Sequence, residues 1–222
     1  MVKVERSFPA PESLAIEAQK KNGSYEKKDV VERLIADFHN KCYICEMSNL
    51  QDPQVEHLLP HKNGKYLERK FDWNNLFWSC GHCNGVKNQS KYDEGILACC
   101  KTDPEDVIVF RLQDEKIQVF AKDKENRQAA LTAELVTEVF ELRNTDMRVY
   151  KSAMRFEKLN KEMNKLYDSL EELNGNPESK FALRKAKALL RRESSFAAFK
   201  RNYVREHPQK YPQLAEYIQQ NV

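Results

Sequence analysis

The chain has 222 residues, 41% of them hydrophobic, which suffices for the core of one large domain or two small ones. Charged residues make up 32%, and no apolar run approaches the ~18 residues of a membrane span, so an integral membrane protein is excluded. The net charge is only +3, six cysteines are too sparse for a disulfide scaffold, and the opening residues lack the apolar stretch of a secretion signal, so a reducing cytoplasm is the expected setting.

In chain order, Phe8-Pro-Ala-Pro11 reads as an extended arm, because proline disfavours helix at the residue before it. Val31, Leu34, Ile35 and Phe38 recur at helical spacing and predict a helix from Ser24 to His39, with Ser24 as N-cap. Arm and helix make an N-terminal segment over residues 1–40. Cysteines, aromatics and Asn/Gly turns crowd the next stretch, which reads as a small module over 41–105. Within it Trp73, Phe77 and Trp78 read as core. Val107–Leu112 and Lys116–Ala121 are β-type runs around Gln113-Asp-Glu115 and predict a hairpin.

Leu131, Leu135 and Val139 then line one helix face. A longer helix follows, carrying Met147, Tyr150, Met154, Leu159, Met163, Leu166, Leu170 and Leu173, with Gly175 as its C-cap and Pro177 beyond. A basic helix is predicted from Glu178 to Arg205. Ten Lys/Arg against four Asp/Glu between Glu178 and Val222 put a local +6 on a body of −3. Arg191 and Arg192 are the candidate nucleic-acid contacts there, and a merely solvated helix face is the competing reading. Residues 106–222 thus read as a hairpin plus a mainly helical C-terminal domain, and the fold class is α+β.

The chemistry lies between residues 42 and 91. Cys42-Tyr-Ile-Cys45 and Cys80-Gly-His-Cys83 are two Cys-x-x-Cys pairs, and two such knuckles complete a tetrahedral four-thiolate shell for structural Zn²⁺. One pair alone could be a redox motif. Their 34-residue spacer carries Glu56-His57 on a short strand and Asn75 eighteen residues after His57. Asn84 follows the last cysteine, with Lys87 one helical turn on. If Glu56 and Asn84 reach one point, they offer hard oxygen ligands for Mg²⁺ or Mn²⁺. His57, on the opposite strand face, can then deprotonate water, while Lys87 holds a phosphate. Each element is ordinary by itself. His61 reads as a cleft-lining loop residue, Cys99 and Cys100 as buried small hydrophobes, and His39 as a helix end.

In this order Glu56-His57-x-x-Pro60, Asn75-Leu76 and Cys80-x-x-Cys83-Asn84-x-x-Lys87, preceded by Cys42-x-x-Cys45, resemble the HNH (His-Me finger, ββα-metal) endonucleases that carry a four-cysteine zinc site. The resemblance implies a small ββα-metal module. It also implies His57 as general base, Asn75 as the buttress of its loop, and Glu56, where aspartate is more usual, with Asn84 as ligands of the catalytic metal. A narrower resemblance over about residues 30–165 is to PtuB-like nuclease subunits of Septu and retron antiphage systems. It rests on Val55-Glu-His-Leu-Leu-Pro-His61, Trp73-x-Asn75-Leu76-x-x-x-Cys80 and Gly95–Pro104. That likeness implies antiviral defence beside a PtuA-like ATPase, and in retrons a reverse transcriptase with its RNA/DNA. The expectation is a metal-dependent endonuclease acting on DNA or RNA. A zinc-stabilised adaptor or nucleic-acid-binding module without catalysis is the alternative.

Overall fold

The computed structural model describes residues 1–141 and 145–220, so the 106–222 segment is seen except at 142–144 and 221–222. The N-terminal arm lies against the body. Val4 N–H donates to the Cys99 carbonyl at 3.1 Å, and the Met1 ammonium pairs with buried Glu46 at 2.6 Å. Helices α1 (Glu12–Ala18) and α2 (Lys28–Asp37) follow. The predicted helix therefore starts later than Ser24. The Ser24 hydroxyl accepts from Glu26 N–H, and the Ser24 N–H donates to Glu17, so this residue shapes the turn ahead of α2 and caps nothing.

The central unit runs strand, loop, strand, helix: β1 (Pro53–His57), the one-turn α3 (Leu67–Lys70), β2 (Leu76–Cys80) and α4 (Gly81–Lys87). β1 and β2 are antiparallel, with Val55 opposite Trp78, Glu56 opposite Phe77 and His57 opposite Leu76. All five β2 residues are buried, with β1, α4 and α2 packed against the strand. Trp73, Phe77 and Trp78 are buried in this core as the sequence suggests. Arg6 from the arm stacks on Trp73, its guanidinium 3.8 Å from the ring centroid, and donates to the carbonyls of Trp73 and Leu76.

The short α5 (Pro104–Val107) leads into the predicted hairpin, β3 (Ile108–Gln113) and β4 (Lys116–Ala121). Asp114 and Glu115 turn it at φ 50° and 58°, the left-handed pair that a two-residue connection needs. Then come α6 (Arg127–Glu141) and the 30-residue α7 (Asp146–Gly175). The α7 stripe is buried only in its second half: Leu159, Met163 and Leu166 are fully covered, whereas Met147 is 62% and Tyr150 61% exposed. Helices α8 (Lys180–Leu189), α9 (Ala197–Glu206) and α10 (Pro212–Gln220) close the chain.

The single basic helix predicted from Glu178 to Arg205 is in fact two, α8 and α9. The Lys41 ammonium binds the carbonyls of Arg192 and Ser194, Phe196 N–H donates to the Glu46 carbonyl, and Phe196 sits at φ 52°. Tertiary partners hold residues 190–196 out of helix. Much of the basic charge is also internal. Lys200 and Arg201 are buried against Glu162 at 3.0 Å and Glu105 at 2.9 Å. One hydrophobic cluster extends from Met1 to Ile218, so all three segments of the chain share a core. Among the described residues the protein is mixed helix and sheet, with two small antiparallel sheets. Among the described residues no helix is long and apolar enough to cross a membrane.

Candidate functional site

The four knuckle cysteines converge. Glu46 N–H donates to the Cys42 carbonyl at 2.8 Å, folding the first knuckle into a tight turn, while Cys80 ends β2 and Cys83 lies in the first turn of α4. All four sulfurs are buried and within 4.8 Å of one another. A four-thiolate zinc shell has sulfur–sulfur edges of roughly 3.8 Å, from a metal–sulfur bond of about 2.3 Å, so this group can hold one metal ion after a small contraction. Burial pushes the Cys45 and Cys83 thiols well up, whereas bonds from Cys42, Cys45 and Cys83 hold the Cys80 thiol down. His82, inside the second knuckle, turns away and places its Nε2 at 3.0 Å from the Val139 carbonyl. Arg155 of α7 donates to Cys80 Sγ at 3.1 Å, a charge-assisted contact to the sulfur cluster.

Next to this centre opens a cleft of about 630 Å³ lined by Tyr25, His57, His61, Asn84 and Lys87 among others. His57 ends β1 and is 9% exposed. Its Nε2 lies 3.1 Å from the Lys70 carbonyl. A carbonyl only accepts, so this bond assigns the proton of the neutral ring to Nε2 and leaves Nδ1 with a lone pair. Burial pushes His57 down to about 4 against the Lys70 carbonyl, which favours the charged ring, and His61, Lys87 and Lys70 lower it further. The imidazole is neutral at pH 7.

Asn75 ties down the loop between His57 and β2. Its Oδ1 accepts from Leu59 N–H at 2.8 Å, its Nδ2 donates to the Leu59 and Arg69 carbonyls at 2.9 Å, and its own carbonyl accepts from Leu58 N–H. Asn75 is therefore a positioning residue, buried behind the loop and away from the cleft lining.

Glu56, Asn84 and Lys87 stand together, but otherwise than the sequence suggests. Glu56 is 4% exposed, with Oε1 2.6 Å from the Lys87 ammonium and Oε2 accepting from the Tyr43 hydroxyl at 2.6 Å. Lys87 also donates to the His57 carbonyl at 3.0 Å. Burial pushes the Glu56 carboxyl up, and Lys87 and Tyr43 pull it back. Asn84 donates to the Gln54 side chain at 2.6 Å. As folded, Lys87 and Tyr43 each hold one Glu56 oxygen and Asn84 Nδ2 faces Gln54, so a Mg²⁺ or Mn²⁺ shared by Glu56 and Asn84 would compete with the Lys87 ammonium for the carboxylate. Lys87 is not an outward phosphate holder, since its ammonium points inward at Glu56. Removing one partner of a buried pair leaves the other charge uncompensated, at a cost of about 3–5 kcal/mol. Lys87→Met should lower the denaturation midpoint accordingly, and the Glu56→Gln/Lys87→Met double variant should recover part of the loss. Equal melting of wild type and Lys87→Met would show that the pair is not formed.

Arg191 is exposed, whereas Arg192 pairs with Asp103 and lies 4.0 Å from Glu105. Both border a second hollow with Lys3 and His39, lined separately from the His57 cleft. Two functional neighbours were not visible in the sequence, Tyr25 at the cleft and Arg155 at the cysteines. Neither belongs to a spacing pattern, and each arrives through a separate part of the fold. No family model matches the chain, and no curated protein matches it.

Proposed function

We propose that this protein is a metal-stabilised endonuclease of the HNH type, hydrolysing nucleic-acid phosphodiester bonds with His57 as general base. The observation that carries the reading is the His57 tautomer. The Lys70 carbonyl accepts from Nε2–H, the Asn75-braced loop fixes the ring, and Nδ1 is left as the basic nitrogen in an open cleft. In the reaction Nδ1 accepts a proton from water, whose oxygen bonds to phosphorus as the bond to the leaving oxygen breaks. The cysteine group is assigned to structural zinc, by the chemistry of its four soft donors and the burial of all four sulfurs within 4.8 Å of one another. No step is routed through a second metal at Glu56, because Lys87 and Tyr43 hold that carboxylate.

The PtuB-like resemblance adds antiviral defence and an ATPase partner to this proposal. The adaptor reading has one observation in its favour, the same closed Glu56–Lys87 pair. Cleavage of a panel of plasmid, single-stranded DNA and total RNA by wild type and His57→Ala decides between them. Arg191→Glu tests substrate contact at the second hollow. Salt-dependent binding to single-stranded DNA or total RNA should weaken, with a salt slope reduced by about one. Unchanged binding and slope would leave Arg191 as a solvated surface residue between α8 and α9. Arg192 is no clean probe, because reversing it also breaks the pair with Asp103.

A further inference from the structure

The loop after β1 holds a second imidazole. Lys62, Asn63 and Gly64 all lie in the left-handed region, at φ 49°, 53° and 88°. Gly64 adopts this region freely, but Lys62 and Asn63 do so at a cost that surroundings must offset. Here they curl the backbone so that Gly64 N–H donates to His61 Nδ1 at 3.2 Å, while the His61 carbonyl accepts from Gly64 and Tyr66. An Nδ1 that accepts leaves the ring proton on Nε2. His61 is thus the same Nε2–H tautomer as His57, but the opposite nitrogen is left open: Nδ1 on His57 and Nε2–H on His61. Among the described residues neither His57 Nδ1 nor His61 Nε2 has a hydrogen-bond partner. The ring centroids are 4.7 Å apart, and Tyr25 stands edge-on to His57 at 4.5 Å and to His61 at 6.2 Å. One cleft therefore offers an acceptor nitrogen and a donor nitrogen side by side.

We propose that His61 is a second catalytic residue, whose Nε2–H donates to a non-bridging oxygen of the phosphodiester that His57 prepares for attack by water. This rests on the nuclease reading above. The water oxygen bonds to phosphorus, its proton passes to His57 Nδ1, and the bond to the leaving oxygen breaks, that oxygen taking its proton from solvent. His61 keeps its own proton throughout. A neutral imidazole serves as such a donor without being an acid. Burial and the nearby Lys70 lower the pKa of His61, which keeps the ring neutral and its bond from Gly64 intact. Tyr25 walls both rings and is a positioning residue.

The competing role for His61 is loop structure alone, and two amides separate the possibilities. His61→Asn places an oxygen near the Nδ1 position and can keep the Gly64 bond, but it has no donor at the Nε2 position. His61→Gln places an amide donor near Nε2. Single-turnover cleavage would be measured on whichever polymer of the panel wild type cuts. The cutting step should slow by about 10²–10³ in His61→Asn, with binding little changed, and recover to within about tenfold in His61→Gln. Phosphorothioate at one non-bridging oxygen should slow wild type more than it slows His61→Asn, since sulfur accepts the lost bond poorly.

Wild-type speed in His61→Asn, or an equal thio effect in both proteins, would overturn the assignment while leaving His57 as base. So would His61→Gln slowed as much as His61→Asn. If wild type cuts nothing, or His57→Ala cuts as well as wild type, the nuclease reading itself falls, and the role of His61 with it. Circular dichroism and bound-metal content, unchanged in both variants, show that the readouts report chemistry rather than folding.

Discussion

His57→Ala should reduce cleavage by about 10²–10⁴, the range of a lost general base, while leaving the fold and bound metal in place. The structural cost is small: the Lys70 carbonyl loses one bond, about 1 kcal/mol. Activity that persists in this variant would remove the general-base assignment. The pH profile gives a second check. With its folded pKa depressed to about 4, His57 keeps its basic lone pair well below the usual histidine midpoint. The acid limb of the cutting step should therefore lie nearer pH 4 than pH 6.5.

Stability follows the same linkage with a definite sign. The unfolded chain binds the proton near pH 6.5 and the folded chain only near 4, so between these values the unfolded state carries more protons. His57 thus contributes to a decline in stability as pH falls from about 6.5 to 4. His57→Ala should flatten that part of the curve. A denaturant midpoint just as pH-dependent in the variant would show that other groups cause the decline.

Metal removal should have the largest effect on folding. The purified protein is expected to hold about one zinc ion per chain, and Cys80→Ser or strong chelation should remove it. Structural zinc contributes about 10–16 kcal/mol in small zinc-finger peptides, and even half of this rivals the whole stability of an ordinary domain, about 5–15 kcal/mol. The metal-free chain should therefore lose ordered structure around both knuckles, read as lost amide protection in residues 41–90. The cleft should go with it. Tyr43 lies inside the first knuckle and bonds Glu56, while α4 carries both Cys83 and Lys87. A folded, fully protected protein with no metal would show that the four thiols need no ion to close this site.

These expectations differ in how far they could be read from the residues. The Cys-x-x-Cys pairs need only local turns, and the hairpin only two β-type runs with a polar connection. Both were legible. Burial of Trp73, Phe77 and Trp78 follows from their apolar area, as does that of the 4-3-4-3 stripe from Leu159. The exposure of Met147 and Tyr150 was not legible, because periodicity marks an apolar face without saying whether anything covers it.

What the sequence by itself determined was the set of local devices: knuckles, turns, helical faces and a short Glu-His strand. The tertiary structure decided how each polar group is used. It turned Lys87 inward to Glu56 across 31 positions of chain, and brought Arg155 to Cys80 across 75. It broke the basic helix with Lys41, some 150 residues away, and through the backbone groups of Lys70 and Gly64 left His57 with an open Nδ1 and His61 with an open Nε2–H. Local turns and periodic faces depend on neighbours within a few residues, so composition and spacing reveal them. A buried charge or a ring nitrogen takes whatever partner packing brings within 3 Å, and only the folded chain settles which partner that is.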